Sequence, residues 1–254
     1  MLNINLTGKL AVVTGAAGQL GRVIARTLAD CGADVVIHYN TSQAKAEEVA
    51  DQVRALGRRS MTVRADVGDL DSVLAMRDAI GAELGSPHII VNNAVAQYEW
   101  VSVLEQGVED YESQFRTCVL QNVNMAKAFV PAMIERGWGR VIALSTECAM
   151  QCVPGQSAYV SGKRGQDGVL RVLAREVGPH GVTVNQVAPG WTISERYRES
   201  GQEVVPEYSD NVPLRRRGQD TEIAYAVAFL ASDLAAFITG LYLPVTGGNV
   251  MPTI

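Results

Sequence analysis

Short runs of wholly apolar residues recur along this chain, each followed by a longer stretch with helical spacing. Leu10-Ala11-Val12-Val13-Thr14 is the first run and Asp34-Val35-Val36-Ile37-His38 the second. Met61–Val63, Ile89–Asn92, Val141–Leu144, Val182–Gln186 and Leu241–Leu243 follow. A strand with one wet face alternates apolar and polar residues. A run without that alternation is buried on both faces, as in a parallel sheet clad by helices. The intervening segments supply the helices. One carries Leu20, Val23, Ile24 and Leu28 on a single face, and the others span Ala44–Leu56, Asp69–Leu84, Glu109–Arg136, Tyr159–Val177 and Glu222–Ala231. Gly57 stands where a left-handed residue ends a helix, and Asp69 where a side-chain cap begins one. The expected fold is α/β: one parallel sheet with helices on both faces, a single domain over all 254 residues with no internal repeat. The long irregular stretch from Trp191 to Pro213, rich in polar and charged residues, reads as a lid at about 191–213.

Charge and composition exclude several functions. The formal net charge is −5 and no lysine–arginine stripe is present, so nucleic acid is not an expected partner. Arg215-Arg216-Arg217 is the one basic knot, and it reads as a solvated turn or a local ion-pair cluster. No apolar run approaches the ~20 residues that cross a bilayer, so no membrane partner is expected. The chain starts without a basic, then apolar, leader. Cys31, Cys118, Cys148 and Cys152 are scattered and form no CxxC pair, as suits reduced thiols. A cytoplasmic location is therefore expected. His38, His88 and His180 lie far apart, so no metal site is expected.

The chemistry begins where the first strand ends. Thr14-Gly15-Ala16-Ala17-Gly18-Gln19-Leu20-Gly21 is a glycine-rich turn that opens a helix. Glycines allow a tight turn and let backbone N–H groups approach a pyrophosphate at the positive end of that helix. Such turns also occur without a ligand; the position after the first strand favours a dinucleotide held by Gly15, Gly18, Gln19, Leu20 and Gly21. At the end of the second strand stand Tyr39, Asn40, Thr41 and Ser42, with no carboxylate to bond a ribose diol. That favours NADP(H) over NAD(H). Arg22 and Lys45 are the cations near in sequence.

Tyr159 and Lys163 are four residues apart and share a helix face. A tyrosine hydroxyl titrates near 10, and an adjacent ammonium is expected to lower that value and favour proton exchange with a carbonyl oxygen. Tyr98 and Trp100 follow the fourth strand, where they either line a substrate pocket or anchor a loop. Met150, with Gln151 and Val153, precedes Tyr159 and is expected to face the substrate. Cys148 and Cys152 read as packing residues, since nothing near them in sequence activates a thiolate.

Taken together, the glycine turn, Asp66-Val67, Asn92-Asn93-Ala94, Tyr159 with Lys163, Val182-Thr183-Val184-Asn185, Ala188-Pro189-Gly190 and Phe229–Asp233 through Gly240 resemble the short-chain dehydrogenase/reductase family over nearly the whole chain. The likeness is greatest to the branch of 3-oxoacyl-carrier-protein reductases and related carbonyl reductases. It implies a single-domain, Rossmann-type, doubly wound parallel sheet of about seven strands and a hydride transfer between a nicotinamide and a carbonyl or secondary alcohol. It also implies Asp66 at the adenine amino group with Val67 beside it, Asn92 bracing the sheet near the cofactor and Ala94 lying along it. Lys163 would hold the nicotinamide ribose, Pro189 and Gly190 would shape the nicotinamide pocket, and Thr192 and Ser194 would reach the carboxamide.

Thr146 takes the position of the family's substrate-orienting serine, with Ser145 as an adjacent alternative. Cys118 falls where the family has a catalytic asparagine; it is either an altered relay group or a small buried hydrophobe. Gln121 and Asn122 are near but on other helical faces. If the relay is impaired, Cys118→Asn should raise turnover. Val95 and Gln19 stand where the family usually has glycine. These departures keep a second reading open, a cofactor-binding sensor or scaffold with little catalysis. The resemblance also implies a homo-oligomer, a tetramer or dimer.

Overall fold

A computed structural model of the chain describes residues 3–252. Seven parallel strands form one sheet in the order β3-β2-β1-β4-β5-β6-β7. They are β1 Leu10–Val13, β2 Asp34–Tyr39, β3 Ser60–Arg64, β4 Ile89–Asn92, β5 Gly139–Leu144, β6 Val182–Pro189 and β7 Tyr242–Val245. The main helices are α1 Gln19–Asp30, α2 Gln43–Ala55, α3 Leu70–Glu83, α4 Val108–Gln114 and α5 Gln121–Arg136. They continue with the short α6 Cys148–Gln151, then α7 Ser157–Val177, α8 Glu195–Glu199, α9 Pro206–Ser209 and α10 Asp220–Ala231.

The first strand shows why its run is apolar throughout. Ala11 and Val13 join the core against α1, α2 and α10, while Leu10 and Val12 join the core against α3, α5 and α7. Successive side chains on a strand point to opposite faces, and here both faces are dry. The strand order reverses between β1 and β4. At such a reversal the following connections leave in opposite directions and open a crevice at the carboxyl ends of the strands. Asp69 caps α3 by accepting from the Ser72 backbone N–H at 2.8 Å, and Gly57 has φ +76° past the end of α2.

Two expectations change. The helix from Glu109 to Arg136 is not continuous: Phe115–Leu120 form a π-helical turn between α4 and α5, and the Gln121 N–H reaches the Arg116 carbonyl. Side chains explain the wider turn. The Gln121 amide donates to the Thr117 carbonyl, and the Asn122 amide to the Cys118 carbonyl at 2.6 Å. Those acceptors would otherwise serve the i+4 backbone. The stretch from 191 to 213 is not wholly irregular either, since it contains α8 and α9.

The basic knot is not a solvated turn. Arg217 is 2% exposed and donates to the carbonyls of Trp191 (3.2 Å), Thr192 (3.0 Å) and Gln202 (2.9 Å). Its guanidinium also lies over the rings of Trp191 and Tyr197, 4.8 and 4.2 Å from their centroids. Only Arg216 makes the ion pair foreseen, with Glu222 at 2.6 Å. The fork geometry of a guanidinium lets one side chain bind several carbonyls at once, which is why an arginine can be buried here. Arg217→Leu removes those donors and strands the carbonyls, so the 191–213 segment should open locally. Chymotryptic cleavage within it is expected to rise at least ~10-fold, with a smaller change in the global urea midpoint. Equal cleavage rates in variant and wild type would refute the role.

Candidate active site

The glycine turn sits at the crevice between β1 and β4. Gly15 has φ +61°, and a Cβ there would meet the Ala94 Cα at 3.0 Å. A Cβ on Gly21 would lie 2.4 Å from the Gly15 carbonyl oxygen and 2.9 Å from the Ala16 Cα. The turn therefore packs backbone on backbone. Gly18 is the N-cap of α1, with no capping side chain and no acidic residue in the first turn. A bare, positive helix end beside close-packed glycines fits a dinucleotide pyrophosphate. Gln19 is exposed and Val95 half-buried.

A polar network that sequence reading missed holds this cradle. Thr14 Oγ1 donates to Gln121 Oε1 at 2.6 Å and accepts from the N–H groups of Asn93 (2.8 Å) and Ala94 (3.0 Å). The Asn93 amide donates to the Thr14 carbonyl at 2.9 Å, and the Gln121 amide to the Ala94 carbonyl at 2.9 Å. Asn92, expected to brace the sheet near the cofactor, is buried and donates to Asn122 at 2.7 Å. Its Oδ1 has no partner among the described residues.

His38 is the second residue missed. Its Nδ1 accepts from the Gly15 N–H at 3.0 Å, which leaves Nε2–H to donate to the Ala65 carbonyl at 3.0 Å. One neutral ring thus ties the turn after β1 to the end of β3. Burial pushes its pKa down to about 4, against weaker opposing effects from the Ala65 bond and Asp66. Because the folded value lies below the ordinary 6.5, this contribution is complete above 6.5 and is lost as pH falls toward 4. The drop is on the order of 3 kcal/mol across that window. His38→Gln keeps an acceptor and a donor without titrating, so its urea midpoint should fall less than wild type between pH 7 and 5. A parallel fall in both proteins would contradict this.

At the β2 end, Tyr39 is half-buried and Asn40, Thr41 and Ser42 are exposed. The strand register sets Arg64 beside Tyr39, and the Arg64 guanidinium donates to the Asn40 carbonyl at 3.0 Å. No sequence signal placed a cation here, because Arg64 belongs to a different strand. Arg22 instead pairs with Glu195 of α8, and Lys45 is exposed. Asp66 accepts from the Gly68 N–H at 2.8 Å and faces Arg116 at 3.6 Å, while the Val67 carbonyl takes a bond from Asn124 at 3.1 Å.

A cavity of about 760 Å³ opens beside this edge. Tyr159, Thr146, Tyr98 and Trp100 all line it, together with Gly190 and Thr192. The structure gives Tyr98 both of its alternative roles: its hydroxyl oxygen accepts from the Tyr159 backbone N–H at 2.7 Å. Trp100 stacks on Tyr159 with centroids 6.0 Å apart. Ser145 does not line the cavity; its hydroxyl donates to that of Tyr242 at 3.2 Å. Thr192 Oγ1 donates to the Gly190 carbonyl at 2.9 Å, and Ser194 is the N-cap of α8, outside the cavity lining.

Met150 departs from expectation. Cys148 and Gln151, three apart on α6, face the cavity, so Met150 is carried to the opposite side. It lines a separate hollow with Arg164 and Met251.

The Tyr159–Lys163 expectation is also corrected. The Lys163 ammonium lies 5.8 Å from the Tyr159 ring centroid but donates to the Leu144 carbonyl at 2.6 Å and Gln166 at 3.2 Å. Burial raises the Tyr159 pKa above its ordinary value, and a bond with Thr146 opposes this more weakly. Burial lowers that of Lys163. Loss of hydration dominates at Tyr159, and two of the three Lys163 ammonium hydrogens go to Leu144 and Gln166.

Cys118 is fully buried in the π-helical turn, with its thiol 3.7 Å from Gln114 Oε1. A Cβ on Gly162 of α7 would come within 3.3 Å of the Cys118 Cβ, so a small residue at each position lets the helices touch. Asn122, one turn on, holds the Cys118 carbonyl.

Glu147 was not anticipated at all. It is buried at the cavity wall and accepts from Tyr208 Oη (2.8 Å), the Asn249 amide (2.9 Å) and the Trp191 N–H (3.2 Å). A Cβ on Gly190 would meet the Tyr208 hydroxyl at 2.6 Å, so that glycine makes room for the cluster. Being next to Thr146 was the only sequence signal.

Residues 15–249 match the family model described as enoyl-(acyl carrier protein) reductase. The 3-oxoacyl-[acyl-carrier-protein] reductase FabG of Staphylococcus aureus strain Mu50 is 37% identical over 243 residues, 96% of this chain and 98% of that one. The chain belongs to the short-chain dehydrogenase/reductase family. Two solved structures share its shape. The promiscuous reductase LugOII, which catalyses keto-reduction at C1 during lugdunomycin biosynthesis, is 30% identical with a TM-score of 0.89, covering 97% of this chain and all of that one. A 7α-hydroxysteroid dehydrogenase complexed with NADH and 7-oxo glycochenodeoxycholic acid is 28% identical with a TM-score of 0.88, covering 98% and 97%.

This short-chain dehydrogenase/reductase is thus an NAD(P)-dependent oxidoreductase in a single Rossmann-type domain. The sensor or scaffold alternative is not favoured by these relatives. Among the described residues no helix is long and apolar enough to cross a membrane, and no three His, Cys, Asp or Glu side chains gather to hold a metal.

Proposed function

We propose that this enzyme is a carbonyl reductase or secondary-alcohol dehydrogenase in which Tyr159 is the acid/base and Thr146 orients the substrate oxygen. The observation that carries this reading is that both side chains line one cavity, beside the glycine cradle. NADP(H), when bound, supplies or accepts the hydride. The cradle of Gly15, Gly18, Gln19, Leu20 and Gly21 holds its pyrophosphate, Asp66 and Val67 its adenine end, and Asn92 and Ala94 the groove between. Lys163, Pro189, Gly190, Thr192 and Ser194 hold its nicotinamide end.

In reduction, Tyr159 gives its hydroxyl proton to the carbonyl oxygen as the carbon is reduced, and solvent restores that proton afterwards. Burial keeps the phenol protonated at neutral pH, the form a reduction needs. The segment 191–213 closes over the substrate as a lid. The protein works as a cytoplasmic homo-oligomer, a tetramer or dimer.

Arg64 favours the extra phosphate of NADP(H), since no acid stands at Tyr39–Ser42 to repel it. The test is cofactor oxidation with NADPH or NADH over a panel of ketones, quinones and β-keto thioesters. NADPH should be preferred, and Arg64→Ala should cost NADPH about 10-fold or more in kcat/KM and NADH much less, as befits one charge-assisted bond. No oxidation of either cofactor with any substrate would defeat the proposal; equal losses for both cofactors would defeat the role of Arg64.

A further inference from the structure

The cavity wall carries two carboxylates, Glu147 and Glu207, and no lysine, arginine or histidine among the described residues. Glu147 is 4% exposed. Its three donors, the Trp191 N–H, the Tyr208 hydroxyl and the Asn249 amide, are all neutral. No salt bridge reaches it among the described residues. A carboxylate offers about four acceptor sites, so one remains. A buried anion without a counterion is costly, and burial raises the Glu147 pKa despite its three bonds.

Six aromatic rings share the wall with neutral polar and small residues: Tyr98, Trp100, Trp191, Tyr197 and Tyr208 join Tyr159. Aromatic faces attract cations, and quaternary ammonium ligands are commonly held in aromatic cages. Arg217 already lies over Trp191 and Tyr197, although it does not line the cavity. Tyr98, Trp100 and Tyr208 carry no such neighbour among the described residues. Two cations stand behind the wall, Arg217 against Trp191 and Tyr197 and Lys163 5.8 Å from the Tyr159 ring, but neither lines the cavity, so the ionisable acids it presents to a ligand are its two glutamates.

We infer that the substrate carries a cationic nitrogen, a protonated amine or quaternary ammonium group, which rests against Glu147 and the adjoining aromatic rings. This builds on the reading in which Tyr159 and Thr146 meet the carbonyl oxygen. Because Glu147 follows Thr146 directly, the nitrogen lies within a few carbons of that carbonyl. A glutamate serving only to clasp Trp191, Tyr208 and Asn249 would confer no charge selectivity.

Three ketones separate these cases: 5-(trimethylammonio)pentan-2-one, its uncharged isostere 6,6-dimethylheptan-2-one, and the anion 6-oxoheptanoate. Dissociation constants are measured by calorimetry on the cofactor-loaded enzyme, and kcat/KM by cofactor oxidation. The cation should exceed its isostere at least tenfold in both, and the anion should be the poorest. In Glu147→Gln the cation-to-isostere ratio should fall to about one or two. The wild-type ranking decides alone if that variant does not fold. An isostere bound and turned over as well as the cation, or a ratio unchanged in Glu147→Gln, overturns the inference while leaving the Tyr159 reading intact. Cation-selective binding without turnover does the reverse.

Discussion

Tyr159→Phe should lower turnover on any accepted ketone by about 10³-fold, with cofactor affinity held within a few-fold of wild type. The substitution removes one oxygen and little else. The Trp100 ring still stacks on the phenyl ring, and the bond to Tyr98 uses the backbone N–H of residue 159. The helix that presents the side chain is therefore undisturbed. Steady-state cofactor oxidation and cofactor fluorescence titration give the two quantities. Activity within tenfold of wild type would mean that another donor, such as the Tyr98 hydroxyl or water, supplies the proton.

Gly21→Val should abolish cofactor binding at micromolar concentration and cost roughly 3 kcal/mol of stability. The new Cβ would sit 2.4 Å from the Gly15 carbonyl, 2.8 Å from the Asn93 amide and 2.9 Å from the Ala16 Cα. None of these is the free end of a flexible side chain. Gly15 is fixed by His38, and Asn93 by the Thr14 carbonyl. The start of α1 must move off the cradle, and its N–H groups move with it. Gly81→Ala, in the last turn of α3, is the contrast: nothing lies within 4 Å of its Cβ. It should stabilise the protein by about 0.5–1 kcal/mol through helix propensity. Urea midpoints and cofactor titrations of both variants check the pair. A Gly21→Val enzyme that binds cofactor normally would show that the glycine packing does not shape the cradle.

The fold was largely legible because its signals are local. Ile89–Asn92 is bounded as expected, and the apolar runs marked every strand. Boundaries drifted where a distant partner extends the strand. β6 runs on through Ala188 and Pro189 because β7 supplies Pro244 and Val245 beside them. β5 begins earlier, at Gly139, where Met133 fills the place a Cβ would take. Met150 was misplaced because α6 is a single turn, too short for periodicity to show which face meets the cavity.

Sequence by itself determined the parallel sheet, the glycine cradle and the Tyr159–Lys163 spacing. Each depends on residues a few positions apart, whose geometry a strand or helix fixes. Tertiary structure alone decided the fate of the charges. Arg217, read as part of a solvated turn or ion-pair cluster, is buried against four carbonyls and two rings. Lys163 gives two of its three hydrogens to Leu144 and Gln166, and burial of the Tyr159 phenol raises its pKa. His38, Arg64 and Glu147 gained partners from other strands, the 191–213 segment and the C-terminal segment. An ionisable group is governed by its desolvation and its nearest partners, and both are set only when remote parts of the chain close around it.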